Sequence, residues 1–420
     1  MRKKSRAIII GVVALTMSLA ACSTKAASSG SSSSGGVKTD NGVTDKTITL
    51  GVQTDESAVF KEIGLGLTRG NQMWADDVNA SGGICGRQIK IDVRDNGYDA
   101  AKAVTLYAAM KDNVAAMIQL LGSPIMAALK SQLASDNMLA IPASQAATNL
   151  DLPTAMMVGT TYDVEMINGL SYLKKIGKIK DGDKLGHIYI EGEYGQSGLN
   201  GSEAYAKKNN MTVIGIKVGP TDADMSAAVT KLKSEGVNAV LLTTTGAQLG
   251  STATQMAAQG MGALPIMGNN PTYATTLVKS PAMSALGNYY RSISILPYGA
   301  DNPEAQKLVK EFDKKYPGQE PNDDINAGYT YGLTMQTVLE KACKDKDLTR
   351  AGIVKASKGV KVDTKGLAGS EPLDFSHPGK ASTISDVIEQ IDPSVVGYLK
   401  VIQPFASSDE AKVYKSPLNK

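Results

Sequence analysis

Segments of strand character and segments of helix character alternate along this 420-residue chain, and that alternation leaves few folds open. Residues 48–52 form a short β-type run, and residues 60–78 place Ile63, Leu67, Met73, Trp74 and Val78 near helical spacing. Residues 89–93 alternate apolar and polar as a half-buried strand does. A helix at 100–110, an apolar strand at 114–121, a helix at 124–134 and a strand at 138–141 complete a first series. After a looser stretch at 151–162, a second series runs helix 164–176, strand 185–190, helix 197–209, strand 212–217, helix 225–234, strand 239–243, helix 246–261 and strand 265–267. Strand and helix in strict turn are the mark of a parallel sheet covered on both faces. The expected fold class is therefore α/β, with two doubly wound parallel-sheet lobes.

More chain follows than a second unit needs. A strand-like run at 289–296, long helices at 303–315 and 324–344 and a strand-rich piece near 383–401 imply a return to the first lobe, and so a multi-crossing hinge. The expected division gives residues 46–162 and 296–374 to an N-terminal lobe, residues 163–295 and 375–405 to a C-terminal lobe, and residues 406–420 to a tail. Open parallel sheets take ligands outside the carboxyl ends of their strands. Two such sheets facing across a hinge put their ligand loops in one cleft, which closes by hinge motion.

The N-terminus is of another kind. Arg2, Lys3, Lys4 and Arg6 precede an apolar run, residues 7–21, broken only by Thr16 and Ser18. That is the layout of a secretory signal peptide, residues 1–21. At about 1.5 Å per residue the run reaches roughly 22 Å, short of the hydrocarbon layer of roughly 30 Å. Leu19-Ala20-Ala21-Cys22 resembles the lipobox of bacterial lipoproteins, which implies acylation of Cys22 and a lipid anchor on the outer face of the cell membrane. Residues 22–45 then read as a lipidated flexible tether, because Ser, Gly, Ala, Thr, Lys and Asp dominate them until near Thr44. Removing residues 1–21 takes four of 44 basic residues and no acid, so 40 face 41 acidic ones. A near-neutral mature chain gives no support for nucleic-acid binding.

Val78-Asn79-Ala80-Ser81-Gly82-Gly83-Ile84-Cys85-Gly86-Arg87-Gln88-Ile89 resembles the turn that ends the first helix in solute-binding proteins of the branched-chain amino acid type, which serve ABC importers. Leu121-Gly122-Ser123, Ile141-Pro142-Ala143-Ser144, Glu193-Tyr194-Gly195-Gln196-Ser197-Gly198, Ile266-Met267-Gly268-Asn269 and Ala327-Gly328-Tyr329-Thr330-Tyr331-Gly332 keep that family's order. The resemblance, over about residues 46–402, implies a type I periplasmic-binding-protein fold. It implies capture of a small polar organic solute, a branched-chain amino acid or a related amide or carboxylate, by two-lobe closure, with an ABC permease and ATPase as partners, a monomer, no cofactor and no enzymatic activity.

The site residues follow position by position. Gly122 and Ser123 open a helix whose free N–H groups and hydroxyl suit an anionic or acceptor group, although Ser123 could equally serve as a cap. Ala143, Ser144 and Gln145 end the next strand on the same rim. Tyr194 matches a tyrosine that closes over the ligand from the other lobe, and Thr245 and Gly246 offer further contacts there. Asn270 stands in the loop where amino-acid binders of the family carry an acid. A neutral amide there argues against a zwitterionic amino acid unless Asp55, Glu56, Glu191 or Glu193 reaches in. A carboxylate without an amine, an amide or a small aromatic acid fits as well.

Of three cysteines, Cys85 and Cys343 remain after Cys22, and the residues alone leave them bridged or free. The resemblance puts both in one lobe and so implies a disulfide. His187 and His377 are the two histidines, in no metal-ligand spacing, and no serine-nucleophile motif stands in a suitable context. A hydrolase is thereby disfavoured. A ligand sensor of the same fold, feeding a signalling receptor, stays open as an alternative to an importer component.

Overall fold

The computed structural model describes residues 32–34 and 36–417, so the signal segment, Cys22 and the first part of the spacer lie outside the described residues. Two short antiparallel strands come first, β1 (Ser32–Ser34) and β2 (Val37–Thr39). This shortens the expected spacer, because β2 lies parallel to Asp347–Leu348 and the Lys38 N–H donates to the Lys346 carbonyl at 3.0 Å. Asp40 accepts the Arg350 N–H at 3.1 Å, and Val43 is buried. The local composition cannot order these residues, but backbone partners some 300 positions away can.

The first lobe is built on β3 (Thr47–Thr54), β4 (Gln88–Asp95), β5 (Ala116–Leu121) and β6 (Ala140–Ala143), all parallel in the order β4-β3-β5-β6. Ile48, Leu50 and Val52 alternate to one face of β3 and share a core with Leu67 and Trp74 of α1 (Lys61–Ala80). Met117 and Leu120 of β5 belong to the core on the other face, with Tyr107 of α2 (Ala100–Met110) and Leu129 of α3 (Ser123–Ser135).

Through α4 (Tyr162–Lys175) the chain enters the second lobe: β7 (Lys184–Ile190), α5 (Glu193–Lys208), β8 (Thr212–Val218), α6 (Ser226–Glu235), β9 (Ala239–Thr243), α7 (Gly246–Ala258), β10 (Ile266–Gly268) and β11 (Tyr289–Ile293). It then returns to the first lobe with α8 (Pro303–Lys315), α9 (Asp324–Lys344), β12 (Asp347–Leu348), α10 (Arg350–Ser357) and the paired β13 (Lys361–Val362) and β14 (Leu373–Asp374). Phe312, Val338, Ile353 and Leu373 of this return join the core that contains Trp74. A last crossing adds β15 (Asp386–Ile391) and β16 (Leu399–Ala406) to the second sheet, whose order is β16-β15-β11-β10-β9-β7-β8.

That second sheet is mixed. It is parallel from β8 to β11, but β15 runs antiparallel to both β11 and β16. The short link between β15 and β16 accounts for their antiparallel pairing, since a parallel return needs a crossover of about a dozen residues or more. Nor is the end of the chain a free tail: α11 (Asp409–Val413) buries Ala411, and the Tyr414 hydroxyl donates to Asp163 at 3.0 Å.

The three segments that pass between the sheets are hydrogen-bonded to one another. Ser382 Oγ accepts the Gly159 N–H at 3.1 Å and donates to the Met157 carbonyl at 2.8 Å, while Ser294 Oγ accepts the Thr160 N–H at 3.1 Å. Gly159 has φ +108°, and a Cβ there would stand 2.2 Å from Ser294 Oγ, so only glycine lets the strands of the hinge come this close.

The return is fixed where α1 crosses α9. A Cβ on Gly70 would lie 2.2 Å from the Ile325 carbonyl oxygen, and one on Gly328 would lie 2.0 Å from that of Leu67. Cys85, in the turn after α1, is disulfide-bonded to Cys343 near the end of α9, with Cα atoms 5.9 Å apart and 258 positions between them. By helix propensity alone Gly328→Ala gains about 1 kcal/mol. The seam reverses the sign, and denaturant unfolding should show a loss of about 1–3 kcal/mol from overpacking. Cys343→Ser should cost about 2–5 kcal/mol in the same measurement, the range for loss of a long-loop disulfide.

Candidate functional site

The rim of the first sheet brings two buried serine hydroxyls together. β5 ends at Leu121, and Gly122 turns with φ +113° to start α3. Gly122 is itself the cap residue, so Ser123 begins the helix and its hydroxyl is released from capping. That hydroxyl lies 2.7 Å from the Ser144 hydroxyl across the rim, and the Asn149 side-chain amide donates to Ser144 Oγ at 3.2 Å. Both serines are buried. Gln145, also buried, accepts the Tyr162 N–H on its main-chain carbonyl at 3.0 Å.

Four aromatic rings face this rim. Phe60 and Tyr98 come from strand-end loops of the first lobe and stand 4.7 Å apart between centroids. Tyr194, in the first turn of α5, stands 4.7 Å from Tyr162 and 6.4 Å from Phe60, so the two lobes meet ring to ring. The Tyr194 hydroxyl lies 3.0 Å from both the Thr244 carbonyl and Asn269 Oδ1. Its polar end is held by its own lobe and its apolar face is offered to the other. Burial pushes the phenols of Tyr162 and Tyr194 well above their usual range, so both are neutral. Between Phe60, Tyr98, Gly122, Ser123, Ala143 and Tyr194 remains a cavity of about 30 Å³.

The sequence-derived residues thus divide. Gly122, Ser123, Ala143 and Tyr194 line one cavity, with Ser144 bonded to Ser123 and Gln145 next in the chain. Thr245 caps α7 in a reciprocal pair: its hydroxyl accepts the Gln248 N–H at 3.3 Å, and Gln248 Oε1 accepts the Thr245 N–H at 3.0 Å. Its hydroxyl is therefore committed to the helix end. Gly246 borders a different, larger space, and the Asn270 backbone is held by Glu165 and Arg291.

None of the four acids weighed as an ammonium partner is free inside the cavity. Asp55 accepts the N–H groups of Ser57, Ala58 and Phe60 at 2.6–3.0 Å, which fixes Phe60 in place. Exposed Glu191 pairs with Lys217 at 3.0 Å. Glu56 and Glu193 are not among the residues that line the cavity. The sequence reading missed Glu165, buried in α4 with Oε2 accepting the Asn270 N–H at 3.0 Å. Burial, with Asp386 nearby, raises its pKa well above the usual carboxylate range. Its one signal was an acid inside the apolar run Val164-Glu165-Met166-Ile167. Phe60, Tyr98 and Tyr162 were missed too, although each sits at the end of a strand-like segment or loop.

Under the cleft a charged group spans the lobes. Arg291 of β11 donates to Glu389 of β15 at 2.7 and 2.9 Å and to Asp323, beside the start of α9, at 2.5 Å. Its guanidinium also lies 5.3 Å from the Tyr273 ring centroid. His187 is buried between Ser202 at 2.8 Å and Thr243 at 2.9 Å, and burial lowers its pKa to about 3, so it is a neutral core residue. Among the described residues no His, Cys, Asp and Glu cluster is placed to hold a metal ion, and no helix is long and apolar enough to cross a membrane.

Residues 47–383 match the family described as Periplasmic binding protein. Of solved structures, the fatty acid ABC transporter substrate-binding protein from Thermomonospora curvata is 38% identical, with a TM-score of 0.88, over 92% of this chain and 99% of that one. A branched chain amino acid ABC transporter protein from Thermus thermophilus with bound valine shares the fold at 16% identity, with a TM-score of 0.76, over 87% and 98% of the two chains. No curated protein matches the sequence.

Asp386 supplies a test of the hinge. It accepts from Thr160 Oγ1 and Asn168 Nδ2, both at 2.7 Å, and burial pushes its pKa from 3.8 up to about 7. The folded state then keeps a proton that the unfolded state releases, so this group's contribution to stability is present near pH 4 and lost as pH rises through about 7. Unfolding free energies measured across that window should fall in the native protein relative to Asp386→Asn by a few kcal/mol.

Proposed function

This chain belongs to the periplasmic binding protein family and is a substrate-binding protein of the ABC-transporter kind, and from that premise we propose that it captures a small organic carboxylate bearing a hydrocarbon tail. The family works outside the cytoplasm. The observation that carries the reading is the make-up of the cleft: a compact pair of hydroxyls, Ser123 and Ser144, under aromatic rings drawn from both lobes, with no acid among the residues that line the cavity. A carboxylate is met by hydroxyls and by N–H groups at the start of α3, whereas an ammonium would be buried without a counter-charge. The relative at 38% identity is described as a fatty acid ABC transporter substrate-binding protein, which agrees with that chemistry.

In this reading the head group lies against Gly122, Ser123, Ala143, Ser144 and Gln145. Tyr194 closes from the second lobe, with its ring on the ligand and its hydroxyl anchored at Thr244 and Asn269. Thr245 and Asn270 act indirectly, by fixing the helix start and the loop beside the head group. Affinity comes from tighter binding to the closed state than to the open one, and that closed form then docks on an ABC permease and ATPase as a monomer carried by the Cys22 lipid. A second reading rests on Glu165: its Oε1 is buried with no hydrogen-bond partner, and a ligand ammonium would recharge and pair it.

A thermal-shift panel of octanoate, dodecanoate, benzoate, leucine, valine and urea separates the readings. A ligand at about 100 times its Kd should add about 2.7 kcal/mol of stability. Shifts with the aliphatic acids are expected, and Ser123→Ala should weaken their binding about tenfold or more by removing a bond to a charged group. Shifts with leucine and valine alone would overturn the carboxylate reading in favour of the Glu165 one.

A further inference from the structure

The head-group cavity holds about 30 Å³, far below the roughly 300–1,000 Å³ common for small-molecule sites. A second space of about 610 Å³ lies on the other side of the first turn of α1. Phe60 and Ile63 border the small cavity, whereas Val59, Lys61, Glu62 and Leu65 border the large one, so one turn of helix separates them. The far wall belongs to the second lobe, with Gly246 and Ala247 at the start of α7 and Ala274 and Leu277 beyond it.

The polar groups at the edge of this chamber are mostly committed. The Glu62 carboxylate accepts the Thr275 N–H and lies 3.0 Å from Thr276 Oγ1, joining the lobes. Lys279 pairs with Glu320 at 2.7 Å, and Arg69 donates to Gln319 at 2.6 Å while lying over the rings of Phe312 and Tyr316. What these leave to an occupant is chiefly the aliphatic surface of Val59, Leu65, Ala247, Ala274 and Leu277. Such a surface rewards hydrocarbon and gives a polar solute nothing to bond.

Resting on the carboxylate reading above, we propose that the chamber is the ligand's tail compartment: the head is held at Ser123 and Ser144 while the alkyl chain passes the first turn of α1 and fills the space between α1 and α7. The chamber is walled by both lobes, so each methylene buried there stabilises the closed form, and chain length sets affinity through closure.

The test is calorimetric titration of the native protein and two variants with butanoate, octanoate and dodecanoate. In the native protein Kd should fall about three- to fourfold per added methylene until the chamber is full. Ala247 is exposed, so Ala247→Trp fills the chamber from its rim without disturbing the core. It should weaken dodecanoate binding at least tenfold and leave butanoate unchanged, whereas Ser123→Ala should weaken all three alike. Affinities independent of chain length, or a gain with length that survives in Ala247→Trp, would overturn the compartment while leaving the carboxylate reading intact. Failure of all three acids to bind the native protein would overturn both.

Discussion

The close crossing of α1 over α9 is the contact on which the rest of the molecule depends. Gly70 and Gly328 bring the two backbones to a separation that no side chain permits, with Cβ positions about 2 Å from facing carbonyl oxygens. The crossing holds the returning segment from α8 to β14 on the first lobe, where Val338, Phe312 and Trp74 share one core. It also places Cys343 beside Cys85. A two-lobe molecule with a single connection would leave the lobes free to drift. Here the return of the chain makes three connections, and the lobes can move only about a shared axis.

That axis is polar. Ser294 and Ser382 hold the Gly159–Thr160 backbone between them, Asp386 gathers Thr160 and Asn168, and Arg291 links β11 and β15 to the start of α9. Buried polar networks of this sort add little net stability, because desolvation offsets most of the attraction. Their consequence is geometric. Arg291 and Asn168 each bond more than one acceptor, so the network fixes the register of the crossing strands.

The cleft follows from what the hinge allows. Side chains at the carboxyl ends of β3, β4, β5 and β6 and at the start of α5 meet where the lobes come together, and four rings and Ser123 enclose a space of about 30 Å³. No acid lines that space, and the nearby Asp55 carboxylate is taken up by the N–H groups of Ser57, Ala58 and Phe60. The larger chamber beyond α1 supplies the apolar surface that the small cavity lacks. One turn of α1 divides the two spaces, one ringed by aromatic side chains and the other lined chiefly by aliphatic ones.

Much of the fold could be read from the residues, because amphipathic period is a local property. The bounds of α8 and α9 appear in full in the sequence pattern, with Asn302 capping α8 and apolar residues spaced to one face. The direction of β15 against β11, the docking of β2 on β12 and the placing of α11 depend on partners far along the chain, which no local pattern encodes. The site divides in the same way. Ser123 and Ser144 were visible as small hydroxyl residues at strand ends, while Phe60, Tyr98 and Glu165 were not, since burial and facing charge exist only once the lobes meet. Residue chemistry and spacing determined that this chain makes two sheet-centred lobes with ligand loops on one rim. Tertiary structure decided which of those loops share a cavity, because distance between side chains and exclusion of water are properties of the packed molecule alone.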